Sequence, residues 1–339
     1  MIRRINLPSF YLVPGLLEPS QIEPKTLSEK NYNLIHMFIV KYKKIFLSLS
    51  IMLMVVAVIF TFTFGLKLGI DFKGGALLEL DFSRGRPEAD SIQNNLRSLG
   101  VTQALVQPTG ETGYLIKTRD LTEEEHQKIL SLWSSGSSPS GDGKYEAVEK
   151  SFTSIGPSVG SELARKAILS IVFVIVAIIL FITFAFRKVS KPVASWKYGI
   201  ITIITLLHDI VIPTGIFALL SHYTGAEVDT LFVLALLTIL GLSVHDKIVV
   251  FDRIRENLKA GEKENFMDTI GRSTSQTIVR SINITLTIIF VLVPLYLFGP
   301  ETTKNFSLIL TIGLFFGVYS SLFFASPLLV WIEEWQNRG

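Results

Sequence analysis

Ionisable side chains stand inside several of the most apolar stretches of this 339-residue sequence. In chain order they are His208, Asp209, His245, Asp246, Lys247 and Arg280. A carboxylate in a dry environment can take up a proton, and a guanidinium beside it can hold it ionised. The combination therefore predicts the passage of protons or other cations, with Asp246, Arg280, Asp209 and His245 as the pathway residues.

Each of these side chains also has a structural interpretation. The long side chains of Arg280 and Lys247 can extend to the cytoplasmic headgroups, and for Lys247 we favour this over a functional role. His208 and His245 can be hydrogen-bonded packing residues, which we favour over metal ligation because no third ligand stands at metal-site spacing. The carboxylates are too short to reach the headgroups, so the functional interpretation is strongest for Asp246.

Other polar residues recur at helical spacing beside these groups. Residues three or four apart share one face of a helix. The predicted polar seam consists of Thr205 near Asp209, of Thr238 and Ser243 near Asp246, and of Gln276, Asn283 and Thr287 around Arg280. Packed together, these stripes would form one polar path inside a helical bundle.

The elements that must position these groups are six apolar stretches, each about long enough to span a bilayer as a helix. They are Ile45–Phe64, Ala167–Ala185, Tyr198–Leu220, Leu231–Val250, Ile282–Phe298 and Phe306–Leu329. Only 18% of the residues are charged, below the roughly 25% of soluble domains. This composition predicts a polytopic protein in the lipid bilayer and excludes a disordered chain, a nucleic-acid-binding basic domain and a disulfide-stapled scaffold.

Lys and Arg in the short loops set the predicted orientation. They cluster before the first span, between the second and third, and between the fourth and fifth. We therefore expect a cytoplasmic N-terminal tail (1–44), a first span (45–64), an external domain (65–166), a five-helix region (167–329) and a cytoplasmic C-terminal tail (330–339). The membrane would be the cell inner membrane, with the large loop periplasmic or extracellular.

The external segment alternates between strand and helix patterns. Extended runs are expected at Ala76–Phe82, Gln103–Gln107, Tyr114–Thr118 and Tyr145–Ile155, with a turn at Pro108-Thr109-Gly110 and helices at Arg86–Leu99 and Thr122–Trp133. The order β-α-β-β-α-β predicts a ferredoxin-like α+β domain.

The sequence also contains a stripe of small residues and lacks the common catalytic motifs. Gly313, Gly317 and Ser321 are four residues apart in the last span, where small residues let helices approach closely. The chain has no cysteine, and no phosphate-binding Gly-rich loop, HExxH or GxSxG motif occurs. We expect a protein that is not an enzyme and has no cofactor and no metal.

Several motifs resemble those of the SecF family of Sec translocase subunits. Gly69-Ile70-Asp71-Phe72-Lys73-Gly74-Gly75 is similar to the family signature GIDFxGG, and the run around Gly156-Pro157 resembles the start of its second span. The fourth span resembles the family motif over residues 241–257, and Gln276-Thr277, Arg280-Ser281 and Asn283 resemble its fifth span. The family usually has Asn-Asp-Thr where this chain has His245-Asp246-Lys247, and a Lys⁺ there would oppose protonation of Asp246 unless it turns away.

The resemblance implies a six-helix half of a proton-driven unit of the resistance-nodulation-division (RND) superfamily, completed by a SecD-like subunit. Its partners would be the Sec channel (SecYEG), the unfolded preprotein and the bilayer, with no nucleic acid. It places proton flow at Asp246 and Arg280, whereas Asp71, Gly74, Gly75, Gly156 and Pro157 are expected to be structural. A lipid or small-molecule exporter half of the same superfamily, a sodium-coupled version and a non-transporting scaffold stay open.

Overall fold

The computed structural model describes residue 39 and residues 41–83, 85–134, 146–185, 194–260 and 265–336. The elements in these ranges are α1 (Lys43–Phe64), α2 (Ile70–Lys73), β1 (Gly75–Phe82), α3 (Ala89–Ser98), β2 (Leu105–Thr109), β3 (Gly113–Thr118), α4 (Glu123–Ser134), β4 (Ala147–Ile155), α5 (Pro157–Ala185), α6 (Ser195–Thr224), α7 (Thr230–Lys259), α8 (Phe266–Phe298), α9 (Glu301–Tyr319), a π-helical turn (Ser320–Ala325) and α10 (Ser326–Gln336). The predicted N-terminal tail up to residue 38 and the predicted strand start at Tyr145 lie outside the described residues.

Six helices of the described chain are long and apolar enough to cross a membrane, which confirms the predicted polytopic class. They are α1, α5, α6, α7, α8 and the continuous segment Glu301–Gln336. α5 begins at Pro157, where the missing backbone N–H costs no hydrogen bond. Helices α5 and α8 both begin well before the predicted apolar stretches, so each helix is longer than its stretch of high hydropathy.

The first turns of α8 are polar in sequence but buried in the bundle. Ser273, Thr274 and Thr277 are at most 5% exposed, and each donates its hydroxyl to a backbone carbonyl one turn earlier. Because the hydroxyls are satisfied within the helix, this segment packs against its neighbours despite its composition. The hydropathy pattern therefore missed these turns.

The α+β domain, built from β1 to β4 with α3 and α4, has the predicted ferredoxin-like architecture. Its four strands are antiparallel neighbours in the order β2-β3-β1-β4. Apolar side chains of β1 and β3, including Leu78, Leu80 and Ile116, pack against Ile92 and Leu96 of α3 and Ile129 of α4. Thr122 and Glu125 cap α4 reciprocally through each other's backbone N–H groups, at 3.3 and 3.0 Å.

The predicted turn at Pro108-Thr109-Gly110 is wrong. Pro108 and Thr109 belong to β2 and pair with Tyr114 and Gly113, so the reversal comes later, at residues 110–112. β2 is an edge strand, where the proline ring removes no hydrogen bond of the sheet. Pro108, which suggested a turn in the sequence, is therefore a residue of the edge strand β2.

The α+β domain is fastened to the membrane bundle at the α6–α7 connection. Leu68 and Val228 form an isolated parallel bridge, with Gly69 N–H donating to the Val228 carbonyl at 2.8 Å. An ion pair of 3.0 Å joins Lys117 of β3 to Glu227. The α6–α7 connection is therefore joined by backbone hydrogen bonds to the linker between α1 and α2, and by an ion pair to the α+β domain itself.

Candidate functional site

The charged residues predicted to form one seam are divided between two sides of α7. Ser243 and Lys247, four residues apart, face α6, whereas Asp246 faces α8. The structure brings Asp209 together with Ser243 and Lys247, and it brings Asp246 together with Arg280 and His245 around a small cavity. We describe the two groups in turn.

The first group is a buried ion pair. Lys247 Nζ lies 2.6 Å from Asp209 Oδ2, and both side chains are fully buried. Nζ also donates to Ser243 Oγ and, at 3.1 Å, to Ser320 Oγ of the π-helical turn. The expectation that Lys247 extends to the headgroups is therefore wrong: a carboxylate on the neighbouring helix α6 holds the ammonium group inside the bundle.

His208 supports the carboxylate of this pair. Its Nδ1 lies 3.0 Å from Asp209 Oδ1, and because an ionised carboxylate only accepts, Nδ1 is the donor. The imidazole is fully buried among the rings of Phe316, Tyr319 and Phe324, with centroids 5.2 to 6.3 Å away. His208 is thus a hydrogen-bonded packing residue in this conformation.

The second group surrounds Asp246. Ser281 of α8 donates its hydroxyl to Asp246 Oδ1, while Oδ2 is buried without a hydrogen-bond partner among the described residues. The adjoining cavity of about 30 Å³ is lined by polar residues and glycines together with apolar side chains; besides Asp246 these are Ser243, His245, Arg280, Thr285, Gly313 and Gly317. This volume can hold a water molecule, so the carboxylate oxygen has room for a proton donor.

The remaining polar residues of the predicted seam do not form a continuous path within this chain. Thr205 and Thr238 donate their hydroxyls to carbonyls of their own helices, and Gln276 accepts hydrogen bonds from Arg253 at 2.6 Å and from Asn257 at 3.0 Å. Four other side chains lie exposed on the outer face of α7 and α8; these are His245, Arg280, Asn283 and Thr287.

The small residues of the last span lie where α9 crosses α7. A Cβ atom at Gly313 would stand 2.1 Å from Ile239 Cδ1, and one at Gly317 would stand 3.3 Å from Ser243 Oγ. Ser321 is buried in the π-helical turn and donates to the Gly317 carbonyl at 2.9 Å. The stripe thus brings α9 close to both charged groups.

Sequence reasoning missed Ser320 and named Ser281 only as part of the fifth-span motif, without a role. The hydrogen bond from Ser281 to Asp246 depends on the packing of α8 against α7, which the motif does not show. Ser320 lies in a π-helical turn, a feature that is frequent at functional sites and that hydropathy does not predict. Among the described residues, no group of three or more His, Asp and Glu side chains is arranged to hold a metal.

The Gly-Gly motif positions the start of α7. Asp71 Oδ2 accepts from the backbone N–H of Thr230 at 2.8 Å, and Asp229 caps the same helix through Phe232 N–H at 2.7 Å. Gly74 and Gly75 have φ values of +82° and +140°, which favour glycine. Burial raises the pKa of Asp229, and the nearby Asp71 carboxylate raises it further.

Comparison with known proteins identifies the family. Residues 139–335 match the family described as "Protein export membrane protein SecD/SecF, C-terminal", and residues 59–85 match the "SecD/SecF GG Motif". The protein translocase subunit SecF of Thermobaculum terrenum is 40% identical over 312 residues, covering 88% of this chain and 94% of that protein. The chain belongs to the SecF family.

Relatives that combine SecD and SecF in one chain extend this comparison. The crystal structure of SecDF from Thermus thermophilus, described as a translocon-associated membrane protein, superposes with a TM-score of 0.71 at 27% identity. The match covers 88% of this SecF family chain and 38% of the SecDF chain. SecDF of Bacillus subtilis is 32% identical, and 34% of its length is matched. This member of the SecF family is therefore a multi-pass membrane protein of a translocase, similar to one part of SecDF.

Proposed function

We propose that this chain is the SecF half of a SecD–SecF complex that uses a proton gradient to assist the movement of unfolded preproteins through the Sec channel, SecYEG. The observation that carries the proposal is the exposed polar face of α7 and α8 at membrane depth, beside the Asp246 cavity. An exposed Arg on a membrane-spanning helix must either extend to the headgroups or be covered by another protein, and at the bilayer centre it costs about 2.5–3.5 kcal/mol even on lenient scales. A second protein with complementary polar groups would remove this cost.

A SecD-like half fits this face because it would cover Arg280, Asn283 and Thr287 and enclose the cavity between the two halves. Asp246 would then be the proton-binding group. In the ionised state its carboxylate would attract Arg280, and in the protonated state that attraction would be lost. His245, on the same face, would supply a second group able to carry a proton.

Helix α7 offers a route from this site to the α+β domain. Asp246 and Thr230 are separated by about 24 Å along the helix at 1.5 Å per residue. At its start α7 is held by Asp71 of the Gly-Gly motif and by the Leu68–Val228 bridge. A shift of α7 on protonation of Asp246 would therefore displace the domain that we expect to contact the preprotein.

The proposed orientation follows from the loop charges. Both termini would be cytoplasmic, and the α+β domain would face the periplasm or the cell exterior. The proton gradient would then be directed from the domain side toward the ends of α7 and α10.

The test replaces Asp246 by Asn in inverted vesicles that contain the SecD partner and the Sec channel. Asp246→Asn keeps the size and the acceptor oxygen that meets Ser281 but cannot take up a proton at that carboxyl. We expect it to abolish the part of translocation that depends on the gradient, with insertion and unfolding temperature unchanged. The matched control is Asp252→Asn, a carboxylate on the same helix that pairs with Arg255 at the surface.

Full gradient-dependent stimulation in Asp246→Asn would contradict the proposal. Repeating the assay with choline in place of sodium, at the same membrane potential, separates proton coupling from sodium coupling. Stimulation that disappears without sodium would favour the sodium-coupled alternative.

A further inference from the structure

The ammonium group of Lys247 occupies a cage of oxygen atoms provided by three separate segments. Asp209 Oδ2 of α6 lies 2.6 Å from Nζ, Ser320 Oγ of the π-helical turn lies 3.1 Å away, and Ser243 Oγ of α7 completes the set. A lysine ammonium has three N–H donors. Each of these N–H groups has one acceptor here, so the ammonium group makes all the hydrogen bonds that it can donate.

A cation inside this cage balances its charge. Asp209 is fully buried, and its other oxygen already accepts from His208. Ser243 also donates its hydroxyl to Asp209 Oδ2, which further fixes the carboxylate. An uncompensated carboxylate at such a depth is strongly destabilising. With one negative charge and two hydroxyl oxygens, the cage matches a monovalent cation.

We propose that Asp209, Ser243 and Ser320 form a monovalent-cation site that this chain occupies with its own Lys247. The tethered ammonium group takes the place of a dissolved sodium or potassium ion. The cage lies on the α6 side of α7 and Asp246 faces α8, so the two carboxylates have different partners, although Ser243 also lines the cavity beside Asp246. Removal of the lysine side chain should leave a cage that a free alkali cation can enter.

The test measures the thermal unfolding of the full chain, so its outcome does not depend on the transport role proposed above. Wild type, Lys247→Ala and the double variant Lys247→Ala/Asp209→Asn are compared in NaCl, KCl and choline chloride at equal ionic strength. Choline is too large for a site with three oxygens around one ammonium nitrogen. The double variant is the matched control because it lacks the carboxylate as well as the lysine.

We expect wild type to unfold at the same temperature in all three salts. Lys247→Ala should unfold several degrees lower in choline chloride, because Asp209 then lacks its partner, and should regain about half of that loss or more in NaCl or KCl. The double variant should show no difference between the salts.

Four outcomes would overturn the proposal. One is a Lys247→Ala protein that unfolds at the same temperature in sodium, potassium and choline; another is an equal alkali effect in the double variant. The third is a Lys247→Ala protein that cannot be recovered folded in sodium, in potassium or in choline buffer, since the cage would then not accept a free cation. A wild type that sodium stabilises over choline would also contradict permanent occupation by Lys247.

Discussion

Replacing Gly74 by Ala tests the junction between the α+β domain and the second membrane helix. Gly74 has φ +82° and ψ 159°, a combination that is nearly restricted to glycine. A Cβ atom there would stand 2.8 Å from Cα and 2.9 Å from N of Pro157, and 3.1 Å from the Ile155 carbonyl oxygen. All three neighbours are backbone atoms, so a side-chain rotation cannot relieve the contact.

Two penalties add in this variant. The backbone conformation costs about 1–3 kcal/mol for a residue with a side chain. Overpacking against fixed atoms costs typically another 1–3 kcal/mol, which gives about 2–6 kcal/mol in total. Each kcal/mol lowers Tm by about 2–4 °C in domains of 150–250 residues and by less in longer chains. The product is about 4–24 °C for such domains, and in this longer chain we expect Gly74→Ala to lower Tm by about half as much, roughly 2–12 °C.

Tryptophan fluorescence of the detergent-solubilised chain during heating measures this effect, with Gly100→Ala as the control. Gly100 has the same φ of +82° but no atom within 4 Å of an added Cβ. It therefore bears the penalty of a positive φ without the contact with Pro157. Equal losses of Tm in the two variants would refute the reasoning, because the close approach at the junction would then have no energetic consequence.

Two further changes probe the bundle and its outer end. Asp229→Asn keeps a side-chain oxygen that can cap α7 but removes the carboxyl group. In the wild type, burial and the Asp71 carboxylate raise the pKa of Asp229, so its ionisation opposes folding. The wild-type Tm should therefore fall as the pH rises through that pKa. We expect the variant to be at least as stable at neutral pH and to have a flatter curve of Tm against pH; parallel curves would contradict this. Gly215→Ala would place Cβ 2.4 Å from the Ala57 carbonyl oxygen and should lower Tm by several degrees. The control is Gly241→Ala, where an added Cβ would have no atom within 4 Å; it should be neutral or stabilising by up to about 1 kcal/mol. A similar change of Tm in both glycine variants would argue against tight packing of α1 on α6.

The sequence predicted the fold class because its two periodic signals are strong. Apolar runs long enough for a bilayer revealed six spans, and alternating patterns revealed the order of strands and helices in the α+β domain. Pro108 misled the boundary of β2, since a proline marks a turn more often than an edge strand. The polar start of α8 was missed because burial there depends on hydroxyls that bond their own helix.

The site was predictable in composition but not in pairing. Hydropathy gave the depth of Asp209, Asp246 and Lys247, yet it could not tell which helix each side chain faces. Lys247 depends on Asp209, which is 38 positions away in sequence and on another helix. Such pairing is set by the rotation of packed helices about their axes, and a single sequence carries no direct record of it.

The contacts that Leu68 and Asp71 make with the α6–α7 connection and the start of α7 also constrain the order in which the molecule is assembled. Asp71 precedes Thr230, whose backbone N–H donates to its carboxylate, by 159 residues, so this contact is unavailable until the chain has been synthesised through α6. All four strands of the α+β domain are complete by Ile155, and domains generally fold as units during synthesis. The domain can thus mature as a free module on a single helical stalk, and its attachment to the bundle is a late step of biogenesis.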